Sequence, residues 1–136
     1  MIRPIVHDPF FLGQKSDPAT EADRQTVMDL LDTLRAHQDH CVGMAANMIG
    51  VRKRIIAFGN GPLLMALINP QITSRSGVYD AEEGCLSLPG VRKTRRYQKI
   101  TVRFLDASFK PRTAAFDGFT AQIIQHEIDH CDGILI

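Results

Sequence analysis

His126 and His130, four residues apart, with Glu127 directly after the first, are the residues best placed to do chemistry. On an α-helix, positions i and i+4 share a face about one turn apart, so both imidazoles reach a single metal ion. Glu127, rotated by roughly 100° from His126, stands beside such an ion without having to ligate it, where hydrolysis needs a general base. A surface turn with two solvated histidines would carry the same string, so the neighbouring residues decide. Phe119, Ile123, Ile124 and Ile128 are apolar at helical spacing, and Asp117 (or Thr120) suits the N-cap while Gly133 suits the stop. That helix is apolar enough to be central. Its two histidines leave a metal site incomplete, and a third ligand must come from elsewhere.

The stretch Glu82-Glu83-Gly84-Cys85-Leu86-Ser87 supplies a candidate. A single cysteine is most often a small buried hydrophobe. Beside Glu82 and Glu83 its thiolate is disfavoured unless a cation sits nearby. If Cys85 joins His126 and His130, the site is Cys/His/His with one position left for water, the open arrangement of a catalytic centre. The other cysteines, Cys41 and Cys131, bring the count to three, an odd number without framework spacing. That favours a reducing compartment and a thiolate doing chemistry over disulfides.

The elements that must position these residues follow from periodicity. Thr20 and Asp23 form a capping-box pattern, and Val27, Leu30, Leu31 and Leu34 give an amphipathic helix over roughly 21 to 38. Residues 1 to 19 read as an irregular surface arm. The small residues between Cys41 and Gly50 read as a tight packing turn that permits close approach. Strands are expected over Arg54 to Phe58 and Leu63 to Ile68, then over Ile100 to Leu105 and Thr113 to Phe116. The basic run Arg92, Lys93, Arg95, Arg96 and Lys99 reads as a solvated edge, with pairing to Glu82 or Glu83, or to a substrate carboxylate, as its functional option. The class is α+β: mainly antiparallel β-sheets packed around the C-terminal helix, with one N-terminal amphipathic helix.

At 136 residues, 44% hydrophobic and 23% charged with a net charge of +1, the chain reads as one domain over 1–136 of a soluble globular protein. Neither DNA nor a membrane is an expected partner. No run is long enough to span a bilayer, and the first residues lack the apolar segment of a signal peptide.

Taken together, three stretches in order resemble the peptide deformylase family, whose motifs are G-x-G-L-A-A-x-Q, E-G-C-L-S and Q-H-E-x-D-H. The second stands intact as Glu83 to Ser87 and the third as Gln125 to His130. The first keeps Gly43, Met44, Ala45 and Ala46 but has Cys41 for its first glycine and Met48 for its glutamine. The resemblance implies removal of the N-formyl group from the initiator methionine of new bacterial proteins, in the cytoplasm, with release of formate. It implies one divalent metal on Cys85, His126 and His130, ferrous iron first, with zinc, nickel or cobalt able to substitute. Glu127 would take a proton from the attacking water and deliver it to the leaving amine, and the Leu86 backbone N–H would help hold the oxyanion. Gly43 and Leu86 would line the substrate groove, Ile124 would border the methionine pocket with His126 and Glu127, and Arg92 would meet a distal peptide carboxylate. Arg96 is the expected partner of Glu83. The implied partners are an N-formyl-methionyl peptide and the ribosome exit region, with the protein a monomer or weak dimer. Met48, which cannot donate a hydrogen bond, motivates the alternative: weak activity, another amide substrate, or a non-catalytic peptide-binding role.

Overall fold

Ile55, Ile56, Ala57 and Phe58 follow one another without a polar break, the composition of a strand covered on both faces. In the computed structural model, which describes residues 1–136, they open β2 (Ile55–Asn60) and are all fully buried. β2 pairs on one side with β1 (Gly43–Ala45) and on the other with β3 (Leu63–Gly84). β3 then pairs with β4 (Val91–Leu105), and β4 with β5 (Pro111–Asp117). Every pairing is antiparallel, and the five strands make one sheet in chain order.

Side chains of a strand alternate between faces, and β2 divides the core accordingly. Ile55 and Ala57 join Val27, Leu30 and Leu34 of helix α2 (Arg24–Ala36), with Leu12, Met44 and Met48. Ile56 and Phe58 join Leu67, Ile100 and Val102 beneath Ile124 and Ile128 of helix α3 (Gly118–Cys131). The sheet is thus covered by α2 on one face and by α3 on the other. Register shifts between Ile68 and Gln71 and between Ile72 and Ser74 interrupt the β3–β4 ladder beside Pro70 and Asn69, whose φ is +52°. Bulges of this kind bend a strand and increase its twist.

The capping box of Thr20 and Asp23 is present, on a 3₁₀ turn (Glu21–Asp23) that leads into α2. Gly133 does follow the end of α3 with φ +75°, and no other residue would fit. A Cβ there would meet the Gly13 carbonyl oxygen at 2.7 Å. Asp117 stands at the N-cap of α3 but makes no side-chain capping bond.

Three expectations are corrected. The N-terminal arm is not superficial: its short helix α1 (Pro9–Leu12) buries Leu12 completely, and the Val6 N–H donates to the Met48 carbonyl at 2.8 Å. Residues 43 to 49 are not one turn but β1 followed by a 3₁₀ turn (Ala46–Ile49). The basic run is a solvated edge only in part: Lys93 and Arg95 are exposed on the stretch of β4 that pairs with β3 alone, opposite Glu82 and Asp80, whereas Arg96 is buried. Cross-strand pairing of opposite charges lets a run of cations sit inside a ladder.

Candidate active site

Helix α3 carries its chemistry on the face turned toward the end of the β3–β4 hairpin. His126, Glu127 and His130 are all buried, although a helix interior is an unfavourable place for three ionisable groups. Their partners explain it. The His126 and His130 Nε2 atoms lie 3.2 Å apart, and Cys85 Sγ lies 3.3 Å from His130 Nε2. The three ligand atoms are all within 4.8 Å of one another.

The other side of His126 is fixed as firmly. Its Nδ1–H donates to Glu83 Oε1 at 2.8 Å, which turns Nε2 toward Cys85 and His130. Arg96 donates to both Glu83 oxygens, at 2.9 and 2.7 Å, and to Asp129 Oδ2 at 2.7 Å. Gln122 Nε2 adds a fourth bond to Glu83 at 3.0 Å. Burial by itself would raise the Glu83 carboxyl, but the bonds from His126 and Arg96 outweigh it and hold the group down at about 2. Arg96, expected as the Glu83 partner, is therefore the buried clamp of the whole cluster.

The two imidazoles are driven in opposite directions. Burial would lower His126, yet its contacts with Cys85 and Glu83 push it up to about 10; burial and the neighbouring His126 charge push His130 down to about 3. Two Nε2 atoms this close share one proton between them. A thiolate and two imidazole nitrogens converging on one point, with the outer His126 nitrogen held by a carboxylate, fit a divalent metal of the zinc or iron type in place of that proton.

Glu127 completes the site. Its Oε1 is buried without a hydrogen-bond partner, and burial, opposed by the His126 charge, raises the carboxyl to about 7. β1 approaches it closely because residue 43 is glycine: a Cβ there would lie 2.6 Å from Ile123 Cγ2 and 2.9 Å from Glu127 Oε2. Gly43→Ala should therefore displace Glu127 and lower turnover by about tenfold or more, with metal content unchanged, since small misplacements of a catalytic group are costly. Steady-state kinetics beside metal analysis checks this. Wild-type turnover would show that β1 yields instead.

A cavity of about 860 Å³ opens over these groups, walled by Cys41 to Gly43, by Glu82 to Gly90 and by the Phe119 to Glu127 face of α3. The polypeptide deformylase family model matches residues 2–136. The chain belongs to the peptide deformylase family. It is 57% identical over 136 residues, all of both chains, to the peptide deformylase of Clostridium beijerinckii. It is 42% identical over 135 residues to that of Halothermothrix orenii, covering 96% of this chain and 86% of the relative. Among solved structures it superposes on the peptide deformylase of Thermotoga maritima with a TM-score of 0.88 at 29% identity, covering 99% of this chain and 95% of the other. A Met-Ala-Ser-bound class I type b peptide deformylase from Acinetobacter baumannii gives the same TM-score at 26% identity, covering 99% and 97%.

As a peptide deformylase the protein is a hydrolase that removes the N-formyl group from nascent chains, and nothing in these likenesses favours the weaker alternative. Deformylases are metalloenzymes, and Cys85, His126 and His130 form the metal-type cluster of this one. Gly43 and Leu86 do line the deformylase cavity, and the Leu86 N–H has no backbone acceptor. Two expected contacts are corrected. Ile124 is fully buried in the core beneath the sheet, because it lies about 100° around the helix from Ile123, which faces the cavity instead. Arg92 lies outside the cavity lining and donates to the Pro89 carbonyl at 3.2 Å, tying down the turn into β4.

Sequence reasoning missed Phe119, Gln122 and His7 as lining residues. Phe119 and Gln122 had a signal, since they precede His126 by seven and four residues and so share its face. His7 had none. Its place at the rim comes from the packing of the N-terminal arm, with its Nδ1 donating to the Ser87 carbonyl at 2.9 Å.

Proposed function

We propose that Cys85, His126 and His130 hold one divalent ion, ferrous iron, and that Glu127 is the proton carrier for hydrolysis of an N-formyl-methionyl peptide. The observation that carries this reading is the convergence of three ligand atoms beside a buried, unpartnered carboxylate oxygen. When bound, the ion supplies Lewis-acid polarisation of the formyl oxygen and lowers the pKa of water. Glu127 Oε1 takes a proton from the attacking water and returns it to the leaving amine. The Leu86 N–H donates to the oxygen on which charge develops. Gly43 keeps β1 close enough for its backbone to run beside the substrate peptide, and Glu83 with Arg96 keeps His126 in the tautomer that ligates.

The methionine side chain enters between Phe119 and Ile123, the apolar part of the helix wall next to Glu127, with Gln122 beside it. The Met-Ala-Ser bound by the Acinetobacter relative supports a peptide in the corresponding groove. Residues 1–136 act as one domain, since both halves of the core meet on β2. The enzyme works in the cytoplasm, as a monomer or weak dimer, near the ribosome exit region where formylated chains emerge.

Formate release from formyl-Met-Ala-Ser by anaerobically prepared, iron-loaded protein tests the assignment. The expected metal content is close to one ion per chain, and Cys85→Ala should lose most of it. A Cys85→Ala protein that binds metal as the wild type does would remove Cys85 from the ligand set.

A further inference from the structure

Gln122 is out of character with its surroundings. Phe119 and Ile123 on the same helix wall are apolar, as befits a pocket for a hydrocarbon-like side chain, whereas Gln122 brings an amide into that wall one turn before His126. The amide is held at both ends. The Tyr79 hydroxyl donates to its Oε1 at 3.1 Å, and its Nε2 donates to Glu83 Oε2 at 3.0 Å. Glu83 is itself bound through both oxygens by Arg96, so it accepts only, and turning the amide round would set oxygen against oxygen. The orientation is therefore fixed. Nε2 carries two hydrogens, and the protein uses one of them. The second belongs to a locked side chain that lines the cavity.

We infer that Gln122 is a specificity-determining residue, whose spare amide N–H selects side chains that carry an acceptor at the sulfur position over hydrocarbons of the same length. The inference rests on the reading above that the methionine side chain enters beside Gln122. A donor that an occupant covers and cuts off from water discriminates against an occupant that leaves it unpaired. Norleucine, with a methylene in place of sulfur, offers nothing. The thioether of methionine accepts weakly, and the oxygen of methionine sulfoxide accepts strongly. A purely apolar wall would rank the sulfoxide last.

The test compares kcat/KM for formyl-Met-Ala-Ser, formyl-norleucyl-Ala-Ser and the corresponding sulfoxide peptide. Wild type is set against Gln122→Met, which keeps the length and removes the donor, and against Tyr79→Phe, which frees Oε1 from outside the cavity lining. The Gln122→Met change should lower the methionine-to-norleucine ratio about threefold and the sulfoxide-to-norleucine ratio about tenfold, as expected for one neutral hydrogen bond. Tyr79→Phe should move both ratios the same way by less. Calorimetric binding of the unformylated Met-Ala-Ser and norleucyl-Ala-Ser peptides reads the same preference without turnover. It therefore decides about Gln122 even if formate release fails and the catalytic assignment falls. If Gln122→Met scales all peptides by one factor, or leaves every ratio in place, the inference is overturned and Gln122 serves only to brace Glu83.

Discussion

Glu127→Ala protein should bind metal as the wild type does and release formate about 10³-fold more slowly, within the range that a positioned acid–base group contributes. The size of the loss follows from the absence of a substitute. Glu83 is fully engaged by Arg96, His126 and Gln122, and Asp129 by Arg96, so neither carboxylate is free to turn into the cavity. Among the carboxylates, Glu127 alone has a buried oxygen without a partner. Glu127→Gln separates charge from shape, because it keeps the packing against Ile123 and β1 while removing the base. Both variants should lose activity alike. A Glu127→Ala enzyme within tenfold of wild type, at equal metal content, would take Glu127 out of the mechanism. The same residue sets a limit on pH. Glu127 must be ionised to accept a proton, burial raises its carboxyl to about 7, and a cation beside it lowers that value. Turnover should therefore fall as pH drops, with a midpoint no higher than about 7. The acid limb should vanish from the residual rate of Glu127→Gln.

How much of this was legible in the sequence depends on the range over which each contact acts. The Cys85, His126 and His130 cluster was readable because two of its members and Glu127 are local, spaced by the helix itself, and the third lies in an intact motif. The amphipathic face of α2 and the continuous apolar run of β2 were readable for the same reason. The β3–β4 hairpin beyond Thr73 was not. Its outer residues, such as Asp80, Glu82, Lys93 and Arg95, are polar, so hydrophobic alternation is weak. Only the cross-strand register shows that the charges oppose one another. Ile124 was misplaced for a subtler reason. The motif carries its neighbours along in sequence, but the cavity sees only one side of the helix, and a shift of one residue moves a side chain from substrate to core. Arg96 shows the converse, since its burial among three acidic and imidazole groups is invisible in a basic run, and only the partner search for Glu83 suggested it.

Met48→Gln should raise turnover by as much as about 10², the scale of restoring one oxyanion donor. The local geometry favours a tolerated substitution. Met48 Sδ already serves as an acceptor for the Ala45 N–H at 3.4 Å, so a glutamine Oε1 can take the same bond more strongly and leave Nε2 as a donor. No neighbour plays that part in the existing chain. The Asn47 Nδ2 is committed to the His130 carbonyl at 3.0 Å, and its buried Oδ1 can only accept. The change also has a cost. Met48 is 1% exposed within the apolar cluster under α2, and an amide buried there with incomplete partners should destabilise the protein by about 1–3 kcal/mol. Faster formate release together with a lower melting temperature is thus the expected pair of results. It would mean that the chain gave up a transition-state donor and gained a better-packed core. A variant that melts lower without turning over faster would mean that the Leu86 N–H and the bound ion already stabilise the oxyanion sufficiently. The residue at position 48 would then be answerable to packing alone.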